Sequence, residues 1–196
     1  MSAAARRQQI LDEATRIIGQ RGYFGFSVQE VADSCGLTQA GLLHHVGSKD
    51  QLLTAVLEER DARDVAALGG LMEQYAVDAL GDAFEIGLED AVDCLHRLVE
   101  RNASQPEIVR LYSVLRNESL EPGHPSHQFF RDRDARALRF FRQLFVATVA
   151  EPASFARQVL ALMGGLEEQW LRAPDEVDLV SEWDRAMAVL VAGRPV

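Results

Sequence analysis

The chain has 196 residues, 47% of them hydrophobic, a net charge of −10 and two cysteines. This length and hydrophobic content can bury a core without disulfides or a metal ion, and the cysteines lack the CxxC spacing of a metal or redox site. No stretch approaches the roughly 18 apolar residues that a membrane span requires, and no apolar segment follows the charged N-terminus, so we expect a cytoplasmic protein that is neither exported nor embedded in a membrane.

The negative charge is confined to one part of the sequence. Residues 1–50 carry equal numbers of basic and acidic side chains, so the net charge of −10 falls entirely on residues 51–196. An acidic protein is in general a poor ligand for DNA, because DNA binding relies on neutralising phosphates. A neutral first quarter followed by an acidic remainder is nevertheless compatible with a polyanion that meets one end of the chain.

Helical periodicity dominates the sequence. Apolar residues recur at intervals of three and four, and no run alternates with period two for long enough to form a strand, so we predict an all-α fold. The first helix buries a face that includes Ile10 and Ile17, and we expect it to end before Gly22. The residues from Ser27 to Glu30 form a capping box, which opens a short second helix.

A glycine turn separates the second helix from a third. Gly36 can adopt the left-handed conformation that ends a helix, and Thr38 can cap the next one. We expect the third helix to run from about residue 39 to residue 46. A second capping box, from Ser48 to Gln51, opens a long fourth helix.

The remainder of the sequence continues the helical pattern. It predicts helices over residues 89–101, 106–120, 126–150, 153–171 and 175–191. The last two begin near prolines that suit the first turn of a helix.

Two histidines lie at the break over residues 121–125. His124 and His127 have a spacing that could contact a metal ion, but no cysteine and no further histidine in that segment completes a site. We therefore expect them in a loop and at the start of a helix. The sequence predicts no metal site and no cofactor.

Two short helices joined by a tight turn are what a protein needs to place side chains in the major groove of DNA, which admits one helix. Gln39 could pair with an adenine edge, Ala40 could meet a thymine methyl group, and Gly41 allows the backbone to approach closely. The side chains expected at phosphate oxygens are Thr38, His44, His45 and Lys49.

Several short runs in the first quarter of the chain carry a family pattern. They are Gly22-Tyr23, Ser27-Val28, Val31-Ala32, Gly36-Leu37-Thr38 and the run from Leu42 to Leu53. Together, over about residues 5–58, they resemble the N-terminal domain of the tetracycline-repressor (TetR) family.

The resemblance implies roles for individual residues. Those that would read bases are Gln29, Gln39, Ala40 and Gly41. Those that would hold phosphates are Ser27, Thr38, His44, His45 and Lys49. Leu43 also belongs to the predicted DNA-binding set, but it stands where the family usually has a tyrosine that touches the DNA backbone. Val46 stands where phenylalanine is usual.

We expect a DNA-binding domain over residues 1–48 and a helical effector-binding and dimerisation domain over residues 49–196. One helix-turn-helix reads only a few base pairs, so sequence specificity requires a second copy about one DNA turn away, on a palindromic operator. The residues predicted to form the homodimer interface are Phe155, Val159, Leu162, Met163, Leu166, Val180, Trp183, Met187 and Leu190. Alternatively, the last two helices only close the core of the monomer.

The resemblance also implies a pocket in the larger domain, where a small molecule binds and weakens DNA affinity. The residues predicted to line it are Cys94, Leu98, Tyr112, Leu115, Phe129, Phe141 and Trp170. This lining would favour an apolar or aromatic effector. The predicted function is that of a ligand-responsive transcriptional repressor at the nucleoid.

Two other classes of function differ from a ligand-responsive repressor in the sequence features that they require. An enzyme is not predicted, since the sequence has no GxSxG, no HExxH and no glycine loop for phosphate. A helical interaction module that no longer binds DNA would account for Leu43 and for the acidic charge. Salt dependence separates this module from a DNA-binding regulator, because phosphate contacts make affinity fall steeply with ionic strength.

Overall fold

The computed structural model describes residues 2–73 and 85–193, and in these ranges it contains helices and connecting turns but no strand. The prediction of an all-α fold is confirmed. In chain order the helices are α1 (Ala3–Gly25), α2 (Val28–Ser34), α3 (Gln39–Val46), α4 (Lys49–Glu73), α5 (Leu88–Ala103), α6 (Pro106–Glu118), α7 (His127–Phe145), α8 (Pro152–Arg172) and α9 (Leu179–Ala192). No helix within the described ranges has the length and apolar character that a membrane crossing would need.

The chain divides into two compact units, each built from two stretches of sequence. Unit 1 comprises Met1–Asp64 and Glu107–Phe130, and unit 2 comprises Val65–Pro106 and Arg131–Val196. The predicted boundary after residue 48 falls inside unit 1, because the first part of α4 and nearly all of α6 share a hydrophobic core with α1, α2 and α3. As a division of function, that boundary stays a prediction.

The core of unit 1 is continuous from the first helix to the sixth. Ile10 and Ile18 of α1 are fully buried, as are Leu42 of α3, Leu52 of α4 and Leu111 of α6. Burying a side chain of this size contributes about 1.5–3 kcal/mol to folding. The orientation of the short helices α2 and α3 is therefore fixed by packing on the longer ones.

Hydroxyl side chains cap the starts of α2 and α4, as the sequence predicts. The Ser27 hydroxyl accepts from the Glu30 amide at 3.1 Å, and the Ser48 hydroxyl accepts from the Gln51 amide at the same distance. A capping box also predicts that the Glu30 carboxylate accepts from the Ser27 amide, and here the structure differs. The Glu30 carboxylate forms an ion pair with Arg21, with Nε and Oε1 2.9 Å apart.

The end of α1 also differs from the prediction. Gly22 has φ 70°, which interrupts the regular helix as expected, but a further helical turn continues across this kink to Gly25. A side chain at position 22 would meet two obstacles: the positive φ and the Glu118 carboxylate, which occupies the space of its Cβ. The backbone of α1 is therefore bent near its end, at a position that requires glycine.

Unit 2 packs α5, α8 and α9 together with most of α7. Cys94 and Leu95 of α5, Phe145 of α7, Val159 of α8 and Trp183 of α9 are completely buried. Pro152 is the first residue of α8, as predicted. The prediction that Pro174 lies in the first turn of the last helix is wrong, because α9 begins at Leu179, where the Asp178 carboxylate accepts from the Ser181 amide.

Candidate nucleic-acid interface

The helix pair α2–α3 has the geometry of a helix-turn-helix. A tight turn joins the two helices: the Leu37 amide donates to the carbonyl of Ala32 at 2.9 Å, and Gly36 takes the predicted left-handed conformation with φ 64°. The Thr38 hydroxyl then caps α3 by accepting from the Gly41 amide at 3.0 Å. Since the apolar side of each helix is buried in unit 1, the opposite side is left to meet another molecule.

The residues predicted to read bases lie on that outer side. Gln29, Gln39 and Ala40 are exposed, and Gly41 is half-buried. The Gln29 amide donates to the Asp33 carboxylate of the same helix at 2.6 Å, which favours one orientation of the side chain in the free protein. Gln39 and Ala40 occupy the first turn of α3, where a recognition helix contacts base edges.

The residues predicted to hold phosphates fall into two groups. Ser27 and Thr38 accept from backbone amides at the starts of α2 and α3, and each exposed hydroxyl keeps a proton that it can donate outward. His44 and His45 lie in the last turn of α3 with their ring centroids 5.8 Å apart. Leu43, between the two groups in sequence, is half-buried.

Lys49 has partners within the protein itself. Its ammonium donates to the carbonyl of Phe26 at 2.8 Å. It also lies 4.6 Å from the ring centroid of Tyr23 and 4.5 Å from that of Phe26, within the range of a cation–π contact. In the free protein, Lys49 therefore binds the start of α4 to the connection between α1 and α2.

Two arginines that the sequence reasoning did not assign to the site also act on the helix-turn-helix. Arg6 donates to the carbonyl of Cys35 at the end of α2, at 3.2 Å, and Arg7 donates to the carbonyl of His45 at the end of α3, at 3.3 Å. A cation near the C-terminus of a helix is favourable, because the carbonyls there lack partners and carry negative partial charge. The only signal in the sequence is a pair of adjacent arginines, which does not identify its targets.

Tyr23 is a second residue that the sequence reasoning did not assign to the site, although it belongs to the family pattern. Its hydroxyl donates to the Asp50 carboxylate, and its backbone amide donates to the Glu118 carboxylate at 2.7 Å. Burial raises the pKa of Tyr23 to about 12, and the hydrogen bond and the charge of Asp50 act in the same direction. The tyrosine therefore remains a neutral donor that contacts both α4 and α6.

The residues predicted to line the effector pocket belong to both units. Tyr112, Leu115 and Phe129 pack in the core of unit 1, whereas Cys94, Leu98, Phe141 and Trp170 pack in the core of unit 2. Burial raises the pKa of the Cys94 thiol to about 12, so this side chain is an apolar core residue and not a nucleophile. A cavity of about 280 Å³ in unit 2 has other lining residues: Val149, Glu151, Ser154, Phe155, Gln158, Val189, Leu190 and Gly193.

The residues predicted to form the dimer interface also divide by exposure. Five are buried in unit 2 itself, where they pack against other core residues and leave no surface for a partner: Phe155, Val159, Met163, Trp183 and Met187. Four are half-buried: Leu162, Leu166, Val180 and Leu190. Only the second group offers surface to another molecule.

The two histidines of the predicted break occupy the expected places. His124 lies in the turn between α6 and α7, and His127 is the first residue of α7. Within residues 2–73 and 85–193, no group of three or more His, Cys, Asp or Glu side chains is arranged to hold a metal ion.

Sequence comparison identifies related regulators. Residues 10–56 match the model of the tetR family of bacterial regulatory proteins. The chain is 25% identical over 195 residues to the HTH-type transcriptional regulator AcrR of Shigella flexneri, a match that covers 96% of this chain and 89% of that protein. It is 36% identical over 70 residues to the HTH-type transcriptional repressor AcnR of Corynebacterium diphtheriae, covering 35% of this chain and 37% of that protein.

Solved structures of regulators share the fold of the whole chain. NalD of Pseudomonas aeruginosa, the secondary repressor of the MexAB-OprM multidrug efflux pump, is similar with a TM-score of 0.70 and 18% identity, covering 98% of this chain and 96% of that one. A transcriptional regulator from Rhodococcus sp. Rha1 is similar with a TM-score of 0.75 and 16% identity, covering 97% and 98%. The helix-turn-helix, the family model that matches residues 10–56 and the similar regulators identify the chain as a DNA-binding transcriptional regulator whose N-terminal part is similar to the TetR family.

Proposed function

We propose that this regulator is a homodimeric repressor that binds a palindromic operator and leaves it when a small molecule binds. The observation that carries the proposal is the exposed first turn of α3, where Gln39 and Ala40 face away from a core that holds the rest of the helix in place. A rigid helix with a polar amide at its start suits reading of the major groove.

The proposed roles of the residues follow from their chemistry. Side-chain amides and small residues read bases at the starts of the two short helices: Gln29, Gln39, Ala40 and Gly41. Hydroxyl, imidazole and ammonium groups position the helices on phosphates: Ser27, Thr38, His44, His45 and Lys49. Leu43 contributes apolar contact where a tyrosine hydroxyl is usual.

Dimerisation is part of the proposed mechanism. A single helix-turn-helix contacts too few base pairs for specificity, and two copies at a spacing of about one DNA turn, roughly 34–36 Å, read an inverted repeat. The half-buried residues of α8 and α9 supply apolar surface for a symmetric contact. In this scheme residues 1–48 bind DNA, and residues 49–196 bind the effector and the second copy.

The effector is proposed to be apolar or aromatic. The predicted lining residues are mostly hydrophobic and aromatic, which suits a ligand of that kind. NalD is named as a repressor of a multidrug efflux pump, which supports repression as the mode of regulation. Binding of the effector would lower operator affinity by about 5–150-fold, the usual size of a coupling between two sites. The protein would act in the cytoplasm, at the nucleoid.

Selection of random duplex DNA on the purified protein tests this proposal. We expect an inverted repeat to be enriched, and its affinity to fall steeply between two salt concentrations. A folded dimer that enriches no sequence would contradict the proposal.

Such a result would favour a second candidate, a helical interaction module that does not bind DNA. Two observations favour it: Leu43 lacks the hydroxyl of the usual tyrosine, and the Lys49 ammonium is engaged inside the protein. Capture of protein partners in place of DNA would then be the expected behaviour.

A further inference from the structure

The kink that precedes the helix-turn-helix is held by side chains from a distant part of the sequence. Glu118, the last residue of α6, accepts from the Tyr23 amide at 2.7 Å, one residue after the positive φ of Gly22. This amide has lost its helical partner at the kink, so the carboxylate satisfies a donor that would otherwise be left without one.

His124, in the turn between α6 and α7, packs against the same kink. Its side chain is completely buried, and its ring meets Tyr23 and Phe24 edge to face, with centroids 5.0 and 5.4 Å apart. Nε2 lies 3.6 Å from the Glu118 carboxylate and has no hydrogen-bond partner at closer range. His124 and Glu118 therefore both contact the end of α1, just before the connection to α2.

The hydrogen bonds of His124 determine which form of the ring fits. Nδ1 accepts from the Ser126 amide at 3.2 Å, so the neutral ring carries its proton on Nε2, facing Glu118. The Ser126 hydroxyl also lies 2.8 Å from Nδ1. A second proton would have to go on Nδ1, which would then donate to this hydroxyl, while the Ser126 amide would lose its acceptor. Ser126 also accepts the first hydrogen bond of α7, from the Phe130 amide at 3.1 Å, so the turn and the helix start are disturbed together.

Charged and titratable groups reach this site from several elements. Glu118 of α6 and Asp50 of α4 favour the protonated ring, but burial opposes them more strongly and lowers the pKa of His124. Lys49 of α4 lies against the ring of Tyr23, and His127 of α7 donates from Nδ1 to the carbonyl of Ser119 at 2.7 Å. The neutral ring is the form that this environment favours.

Tyr23 connects this site to the start of α4. Its amide and ring contact Glu118 and His124, while its hydroxyl and ring contact Asp50 and Lys49. Lys49 in turn donates to the carbonyl of Phe26, one residue before the cap of α2. A change at Glu118 or His124 therefore reaches the helix-turn-helix through one residue, without any contact of theirs with DNA.

We propose that Glu118 and His124 are positioning residues for DNA binding, which hold the kink at Gly22 and Tyr23 in the form that presents α2 and α3 to the operator. It follows that operator affinity falls when His124 takes a second proton. The inference rests on the proposed function, because it concerns affinity for the operator.

The first test replaces Glu118 and measures affinity for the duplex selected with the wild-type protein. Glu118→Ala removes the acceptor of the Tyr23 amide, whereas Glu118→Gln keeps an oxygen there. We expect Glu118→Ala to lose about fivefold or more in affinity, and Glu118→Gln to recover most of it. The slope of affinity against salt should equal that of the wild type, because no phosphate contact is lost.

Glu121→Ala is the matched control. It removes the same charge from an exposed position in the same turn, and its affinity should equal that of the wild type. A folded Glu118→Ala variant that binds as tightly as Glu121→Ala would overturn the role of Glu118. If Glu118→Ala does not fold, Glu118→Gln and the histidine variant below decide the question.

The second test uses pH. His124→Asn keeps a side-chain oxygen near the position of Nδ1 but does not titrate. Between pH 8 and pH 5 we expect the wild type to lose affinity severalfold relative to His124→Asn. The loss should set in below the ordinary histidine pKa of about 6.5, because burial lowers the pKa of His124. His44 and His45 are present in both proteins, so their own titration cancels in the ratio. A ratio that does not change with pH would overturn the role of His124.

Hydrogen exchange separates this inference from the proposed function. If the wild type selects no duplex, the proposed function fails, but the kink can still be examined in the free protein. Faster exchange of the Tyr23 amide in Glu118→Ala than in Glu121→Ala would then show that Glu118 stabilises the kink. Equal exchange would overturn this role.

Discussion

At the scale of single residues, Lys49 combines two demands in one side chain. The proposed function assigns Lys49 to a phosphate, while the structure binds its ammonium to a carbonyl and two aromatic rings. Both roles are compatible, because an ammonium has three protons to donate and only one is used by Phe26. Lys49 should therefore contribute to the stability of the fold and, independently, to DNA affinity.

Replacing Lys49 with methionine should destabilise the fold. The change keeps the length of the side chain against Tyr23 and Phe26 but removes the charged donor, so we expect the free energy of unfolding to fall by about 1–3 kcal/mol. Denaturant unfolding of both proteins measures this. Titration of the selected duplex at several salt concentrations then tests the phosphate role, since loss of one phosphate contact lowers the salt slope by about 1. An unchanged stability would contradict the internal role.

Gln39→Ala should change which sequences are preferred more than how tightly DNA is held. Gln39 is exposed at the start of α3, so its removal leaves the core intact. A bidentate contact between an amide and adenine is worth about 1–3 kcal/mol of discrimination against other bases. Repeating the DNA selection with the variant should show one relaxed position in each half-site. A uniform loss of affinity for every duplex would instead indicate that Gln39 contacts the DNA backbone and not a base.

At the scale of helices, the sequence predicts what is local and misses what is distant. The caps at Ser27, Thr38 and Ser48 join residues three apart, so their spacing is visible in the sequence. The bonds from Arg6 to the end of α2 and from Tyr23 to the end of α6 join residues 29 and 95 apart, and periodicity carries no information about such pairs.

Helix ends show the same distinction. Pro174 suits the first turn of a helix by its own chemistry, but the Asp178 carboxylate provides a better start four residues later. The sequence predicts Trp183 and Met187 at the dimer interface, and both are buried within unit 2. The sequence alone does not separate these two places, because an apolar helix face has the same pattern whether it packs on its own chain or on a second copy.

Helices α5 and α9 are joined by a contact that depends on pH. His96 Nδ1 lies 2.7 Å from the Asp184 carboxylate, and this hydrogen bond, followed by the charges of Asp184 and Glu100, raises the pKa of His96. A raised pKa in the folded state means that the contact stabilises fully below about pH 6.5 and loses its effect as pH rises through the raised value.

His96→Gln should therefore cost more stability in acid than in base. We expect the difference in unfolding free energy between wild type and variant to be larger at pH 6 than at pH 9. Denaturant unfolding at the two pH values measures the difference. A difference of the same size at both would show that the contact between α5 and α9 does not depend on the charge of His96.

At the scale of the whole molecule, assembly should be separable from folding. Leu166 of α8 is half-buried, whereas Trp183 of α9 is fully buried in the core of unit 2. We expect Leu166→Glu to shift the protein from dimer towards monomer with the helical fold retained, since it introduces a charge into the proposed contact. Sedimentation measures the mass and circular dichroism the fold.

Ala153→Glu is the control for this prediction, because it adds the same charge to an exposed position at the start of the same helix. It should remain dimeric. Trp183→Ala should instead reduce the free energy of unfolding by about 3–5 kcal/mol, as expected for a large aromatic side chain removed from a core. A Leu166→Glu variant that sediments like Ala153→Glu would place the dimer contact elsewhere.

Unit 1 is assembled from two stretches of sequence that are separated by residues 65–106. Its core needs Leu111 and Leu115, and its kink needs Glu118. During synthesis, the ribosome completes the helix-turn-helix long before it completes the residues that hold it. We therefore expect a nascent chain to complete the packing of unit 1 only after the start of α7 has emerged.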